Sequence, residues 1–217
     1  MSIRKVNFVP GEYYHIYNRG NDKRIIFHDN GDHNHFIKLL YLSNSKRSIK
    51  IRDLSKNIFD FKRENSLVYI GAYCLMPNHF HIVLAQTEEG SISKFMQKLS
   101  TAYSMYYNTK YQKSGSLFQG KFKSEYANND KYLKYLFSYI HLNPIKLIKK
   151  DWKEKGIGDK KAVLDFLNKY KYSSYLDYAG DVRNERQILS RKAFPAYFPN
   201  KNKFNKEIFE WLSLKDN

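Results

Sequence analysis

The chain has 217 residues, 42% of them hydrophobic, enough for one globular domain with a real core plus extensions, or at most two small domains. Its 38 Lys and Arg against 21 Asp and Glu give a formal charge of +17, an excess that suits a polyanion such as nucleic acid, or an anionic membrane surface. The single cysteine, Cys74, excludes an intramolecular disulfide framework and a cysteine-cluster metal site; residues 1–10 lack the apolar core of a signal peptide and no run is long enough to cross a bilayer, so a cytoplasmic protein is expected.

Along the chain, Glu12 to Asn18 is aromatic and β-prone and stops at Gly20-Asn21-Asp22, which predicts a first strand. Asp32 to Leu42 carries Phe36, Leu39, Leu40 and Tyr41 at helical spacing, with Asp32 as the expected N-cap. Residues 45–66 are basic and mixed; a short apolar pattern at Ile49, Ile51 and Leu54 suggests a connection holding one short helix. Leu67 to Leu75 and His79 to Gln86 read as two strands of a hairpin turned at Met76-Pro77-Asn78, and Cys74 within the first of them reads as a buried, inert thiol. A second helix opens at Ser91, repeats Ile92, Phe95, Met96, Leu99, Tyr103 and Tyr106, and ends near Gly115. Leu117 to Tyr126 is the fourth predicted strand. Asn128-Asn129-Asp130 caps a third helix, Lys131 to about His141, which Asn143-Pro144 ends or kinks. Ala162 to Tyr178 and Phe204 to Leu214 read as short helices of a more polar extension. The order β-α-β-β-α-β followed by a helix predicts an α+β, ferredoxin-like fold: an antiparallel sheet with helices on one face and a C-terminal helical extension.

Within the third strand, His79 and His81 are two residues apart and share a face, while Phe80 turns to the other, toward the core. Two neutral imidazoles so placed can converge on one divalent metal ion; taken alone, such a pair is more often two ordinary half-buried histidines on one strand. The expected topology pairs strand three with strand one and brings His15 close to them. On the third helix Tyr139 and Asn143 are four residues apart and share a face if the helix runs that far. The 19 tyrosines and 15 phenylalanines, interleaved with basic residues, suit a single strand whose bases stack on rings.

Four stretches in order, YHIYNRGN (14–21), AYCLMPNHFHIVL (72–84), GSLFQGKFKS (115–124) and YIHLNP (139–144), resemble the REP-associated tyrosine transposases, within the wider family of insertion-sequence transposases that carry a His-hydrophobic-His (HUH) motif and a single catalytic tyrosine. The resemblance runs over roughly residues 10–180, ending with SSYLDY at 173–178. It implies a metal-dependent single-stranded DNA endonuclease and strand transferase acting beside DNA hairpins through a 5′-phosphotyrosine intermediate. His79 and His81 match the metal pair and Tyr139 the nucleophile. Asn143 falls where the family places a third, amide-type or other polar ligand, with His141 and His15 as substitutes because Pro144 bends the backbone there. Magnesium or manganese is the implied ion, manganese the tighter. A phenol ordinarily ionises near ~10, so a tyrosine nucleophile needs cations beside it; Arg19, Lys121 and Lys123 are candidates for DNA phosphate contacts, and the basic stretches Lys46–Lys50 and Lys201–Lys206 for the hairpin stem. The implied organisation is a catalytic domain over residues 1–180 with residues 181–217 packed on it, as a monomer or homodimer, without a membrane partner. Two other readings stay open: a replication or transfer relaxase, against which the short chain argues, and a DNA- or RNA-binding protein of this fold that has lost cleavage.

Overall fold

The structure is a computed structural model that describes residues 7–47, 49, 54 and 57–213. Among the described residues, four strands form one antiparallel sheet: β1 (Tyr13–Arg19), β2 (Val68–Met76), β3 (His79–Gln86) and β4 (Lys123–Tyr126), in the spatial order β2-β3-β1-β4. That order, with β3 and β1 in the middle, is the expected ferredoxin-like one. Helix α1 (Asn30–Leu42) joins β1 to β2, and α2 (Ser91–Tyr111) joins β3 to β4. Phe36 and Leu40 of α1 and Phe95, Leu99 and Tyr103 of α2 pack on Ile16, Phe80, Ile82 and Leu84, so both helices of the βαββαβ unit lie on one face.

The helix that follows, α3 (Asp130–Leu142), covers the opposite face, with Leu133, Leu136, Phe137 and Ile140 against Cys74, Val83 and Ala85. Strand alternation makes this possible, because β1 and β3 each send one set of side chains to each face. A close approach at β2 lets α3 settle: the strand's register shifts between Ile70 and Ala72, and a Cβ on Gly71 would stand 2.9 Å from the rings of Phe137 and Phe194. Cys74 is buried and burial pushes its thiol pKa up, in keeping with an inert role.

Beyond α3 come the short helices α4 (Trp152–Lys155), α5 (Lys160–Leu167) and α6 (Tyr175–Ala179), then α7 (Lys201–Ser213). Residues 172–174 run beside the outer edge of β2: Leu75 N–H donates to Tyr172 O (2.9 Å) and Ser174 N–H to Tyr73 O (2.9 Å). Ser190 N–H donates to Ile70 O (2.8 Å) farther along the same edge. The pair of buried Asp177 and half-buried Arg183 (2.5 Å) straddles residue 180 and ties the chain after it back to Tyr73, whose hydroxyl lies 3.2 Å from Arg183 Nη2. Phe204, Ile208 and Leu212 of α7 are buried, while Lys201, Lys203 and Lys206 face outward.

Several boundaries differ from expectation for local reasons. Asp29, not Asp32, caps α1, its carboxylate accepting from Asp32 N–H (2.9 Å); Asp32 itself is buried and takes Lys110 (2.7 Å), Tyr106 and Tyr111. The fourth strand is shorter than Leu117–Tyr126, because Gly120 turns the chain at φ +70°; before it, Gln119 N–H still reaches Arg19 O (2.9 Å). Among the described residues of the 45–66 connection, the helical turn is a 3-10 turn at Ile58–Asp60; Ile49 and Leu54 pack on the core, and Ile51 lies outside the described residues. The described part of the first basic stretch is engaged in ion pairs, Lys46 with Glu88 (2.7 Å) and Arg47 with Glu64 (3.0 Å), while Ser48 and Lys50 lie outside the described residues. Leu214, the expected end of the last helix, also lies outside them.

Because two rings already fill the space over residue 71, Gly71→Ala is expected to cost about 1–3 kcal/mol of stability, read as a lower urea midpoint at unchanged m-value; a midpoint equal to the wild type would mean that the rings give way freely.

Candidate active site

The turn before β3 is held by the segment that follows β1. Gly20 N–H donates to Asn78 O (2.9 Å), Ile26 and Phe27 N–H both donate to Pro77 O (2.8 and 3.0 Å), and Asn78 Nδ2 donates to Lys23 O (3.1 Å). At Gly20 a Cβ would lie 2.3 Å from Arg24 O, so only glycine fits there. The segments 14–21 and 76–79 are therefore one structural unit, and Arg19 stands opposite His79 in the ladder, with Tyr17 opposite His81.

His79 and His81 emerge on the α3 face, while Phe80 is fully buried on the other, as alternation requires. His79 Nδ1 lies 2.6 Å from Asn78 Oδ1, to which it donates, leaving Nε2 as its free acceptor. His81 Nδ1 lies 2.8 Å from His15 Nε2 across the β1–β3 pair. From α3, Tyr139 reaches the same place: its ring stands edge-on to His81 and His15, with centroids 5.6 and 6.0 Å away. His79, His81, Tyr139, Arg19, Lys123 and Lys146 all line one cavity of about 210 Å³ between β1, β3 and α3, together with Tyr17, Asn18 and Gln119. A larger hollow of about 730 Å³ lies at the other end of the sheet, beside Tyr13, Tyr69 and Arg186; the histidines and the tyrosine gather in the smaller one.

The cavity is cationic. Lys146 and Lys153 Nζ stand 5.6 and 4.9 Å from the centroid of the Tyr139 ring. Burial, reinforced by Lys153, lowers the pKa of Lys146. Burial, then Lys146 and Arg19, pushes His79 down to about 4; burial, then His15, His79 and Lys146, carries His81 well below its ordinary value. Both imidazoles are thus neutral at pH 7, the form that binds a metal. Sequence reasoning missed Lys146 and Lys153. The available signal was spacing: Lys146 is seven residues beyond Tyr139.

As expected, α3 ends before Pro144, at Leu142. Asn143 nevertheless keeps helical backbone angles (φ −54°, ψ −38°), and a 3-10 turn over Asn143–Leu147 follows. Asn143 therefore stays one turn from Tyr139, its Nδ2 donating to Tyr139 O at 3.5 Å. It is 1% exposed and its Oδ1 is buried without a hydrogen-bond partner among the described residues. An orphaned amide oxygen costs about 1–3 kcal/mol, and it has the chemistry of a hard-metal ligand. Asn143 is not among the residues lining the cavity and touches it through its bond to the Tyr139 carbonyl. Among the described residues no group of three or more His, Cys, Asp or Glu is placed to hold a metal ion. An ion beside His79 and His81 would take further donors of oxygen type from an amide, water or substrate, and the Asn143 amide has that chemistry. The two substitutes do other work. His141 turns away from the cavity and bonds Ser174 Oγ (2.8 Å). His15 is engaged with His81. Lys121 is exposed and outside the cavity lining.

The family model described as "Transposase IS200 like" matches residues 9–143, more than half of the chain, and the chain belongs to that family of transposases, DNA-cleaving enzymes by class. The match ends at Asn143, short of the SSYLDY stretch. A solved structure described as a REP-associated tyrosine transposase bound to a REP hairpin is similar at a TM-score of 0.48 and 15% identity, over 85% of this chain and 90% of that one. No curated protein matches. Among the described residues no helix is long and apolar enough to cross a membrane.

The role of His141 as a packing group has a pH signature. Burial, then Arg191 and Arg183, pushes its pKa down to about 3, whereas an unfolded histidine titrates near ~6.5. Between those values the unfolded chain holds the extra proton, so stability falls as pH falls, by up to ~1.4 kcal/mol per pH unit on this group's account. His141→Gln retains a partner for Ser174 and removes the titration. Urea unfolding at pH 7.5 and 4.5 is expected to show a smaller acid loss in the variant; an equal loss would remove His141 from the acid sensitivity.

Proposed function

We propose that this transposase-family protein is a divalent-metal-dependent single-stranded DNA endonuclease and strand transferase that works beside DNA hairpins, with Tyr139 as nucleophile. The observation that carries the reading is the meeting of Tyr139 with His79 and His81 in one cation-lined cavity, from two elements far apart in sequence. A divalent ion held by His79, His81 and the Asn143 amide, magnesium or manganese, would neutralise charge on the scissile phosphate and orient it. Tyr139 gives up its proton beside Lys146 and Lys153, and its oxygen attacks phosphorus in line. The bond from phosphorus to the 3′-oxygen breaks, that oxygen takes up a proton, and the phosphate remains as a 5′-phosphotyrosine ester. The ester keeps the bond energy, so a second 3′-hydroxyl can reverse the exchange without ATP. Arg19 and Lys123 hold backbone phosphates; Lys121, outside the cavity, contacts DNA farther along the strand.

The net charge of +17 supports a nucleic-acid substrate, and the four ordered motifs support a hairpin of the repetitive extragenic palindrome type, acted on in the cytoplasm. Residues 1–180 serve as the catalytic unit and 181–217 as a packed extension. The placement of Tyr139 beside the histidines of its own chain supports cleavage within one chain, whether the protein is a monomer or a homodimer.

The test is covalent capture. With manganese and a labelled single-stranded hairpin oligonucleotide, an adduct is expected on a denaturing gel, reduced about a hundredfold or more in Tyr139→Phe and in His79→Ala/His81→Ala, and abolished by a chelator. Hairpin binding without any adduct would instead mark a protein that has lost cleavage. Mixing the two variants is expected to restore nothing; recovery of the adduct would mean that tyrosine and metal site come from different chains.

A further inference from the structure

His15 is 4% exposed, and its two ring nitrogens face different groups. Its Nε2 lies 2.8 Å from His81 Nδ1. Its Nδ1 lies 3.6 Å from Glu125 Oε2, longer than a hydrogen bond, and has no hydrogen-bond partner among the described residues. Glu125 sits directly opposite His15 in the β1–β4 ladder. Its carboxylate is fixed from two sides: Oε1 accepts from Tyr17 OH (2.9 Å) and Oε2 from Tyr132 OH (3.1 Å), so β1 and the first turn of α3 both hold it.

We propose that Glu125 and His15 are positioning residues that set the tautomer of His81, a role that rests on the reading of His81 as a metal ligand. The logic is one of donors and acceptors. A neutral imidazole has one N–H and one lone pair. A carboxylate only accepts, so the nitrogen of His15 that faces Glu125, Nδ1, carries the hydrogen. His15 Nε2 is then an acceptor, and the hydrogen in the 2.8 Å contact belongs to His81 Nδ1. His81 Nε2 is left with its lone pair free. The reverse arrangement would turn two lone pairs of His15 and Glu125 toward each other and place a hydrogen on His81 Nε2, which could then hold no ion. Asn78 does for His79 in one step what Glu125 does for His81 through His15. Ligand histidines whose second nitrogen is fixed by a hydrogen bond are the rule at metal sites; here the fixing group is a second, buried histidine.

The decisive measurement needs neither metal nor DNA. Two-bond ¹H–¹⁵N spectra of the full-length, metal-free protein, with the His81 signal assigned by its loss in His81→Gln, report which nitrogen is protonated. The expected result is His81 protonated at Nδ1 in the wild type, and a move toward the Nε2–H form in Glu125→Leu and His15→Phe. Manganese affinity, read by electron paramagnetic resonance, is expected to fall about 10–100-fold in both variants. Glu125→Gln, which still offers an acceptor oxygen, is expected to keep the tautomer and most of the affinity. Glu125 is half-exposed, so Glu125→Leu is expected to unfold at the wild-type temperature and keeps the test valid if His15→Phe does not fold. His81 protonated at Nε2 in the wild type, or unchanged in Glu125→Leu, would overturn the relay. A correct tautomer in a protein that forms no covalent adduct would leave the relay standing and overturn the cleavage reading instead.

Discussion

The pairing of β1 with β3 runs through the middle of the sheet, and everything at the site hangs from its register. Arg19 faces His79, Tyr17 faces His81, and the loop after Gly20 grips the carbonyls of Pro77 and Asn78. A slip of one residue would turn β3 over, sending His79 and His81 into the apolar core and Phe80 into the cavity. The register is therefore specified twice: by Phe80, Ile82 and Leu84, which belong under α1 and α2, and by the backbone bonds that lock the turn. The segments 14–21 and 76–81 meet because they are the two halves of this one lock.

Around that frame the site is assembled from opposed demands. Burial makes the imidazoles neutral and available, and Lys146 favours the same outcome; with Lys153 it also places positive charge beside the Tyr139 ring. Among the described residues no carboxylate lines the cavity; Glu125 stands outside it, on β4, and meets the site through His15 and Tyr17. A carboxylate inside would compete with a phosphate for the same cations. One at a distance can orient a ring without that competition.

Much of this was legible in the sequence because it is local. Alternation put His79 and His81 on one face and Phe80 on the other, and the element order gave a sheet in which His15 lies near His81. The face taken by α3 was not legible: its apolar stripe says that it is covered but not on which side, and the close approach of Phe137 to Gly71 that fits it there is a long-range contact. Pro144 was legible in part. The α-helix ends at Leu142, as the pre-proline bias leads one to expect, but Asn143 keeps helical angles and a 3-10 turn follows, which leaves Lys146 near the Tyr139 ring. His141 shows the converse: in a motif rich in candidate ligands, only the packing of Ser174 against β2 reveals that this ring belongs to the core.

The outer edge of β2 is closed by residues 172–174 and by Ser190, long after the last residue of the candidate site has been laid down. During synthesis the ribosome thus delivers β1, β3, Tyr139 and Asn143 while β2 still offers unpaired backbone groups along an apolar strand. Such an edge is a template for joining other chains, and closing it late adds long-range contacts that slow folding. Residues 172–174 and Ser190, which the family match does not reach, take up backbone groups that would otherwise stay open on the newborn sheet.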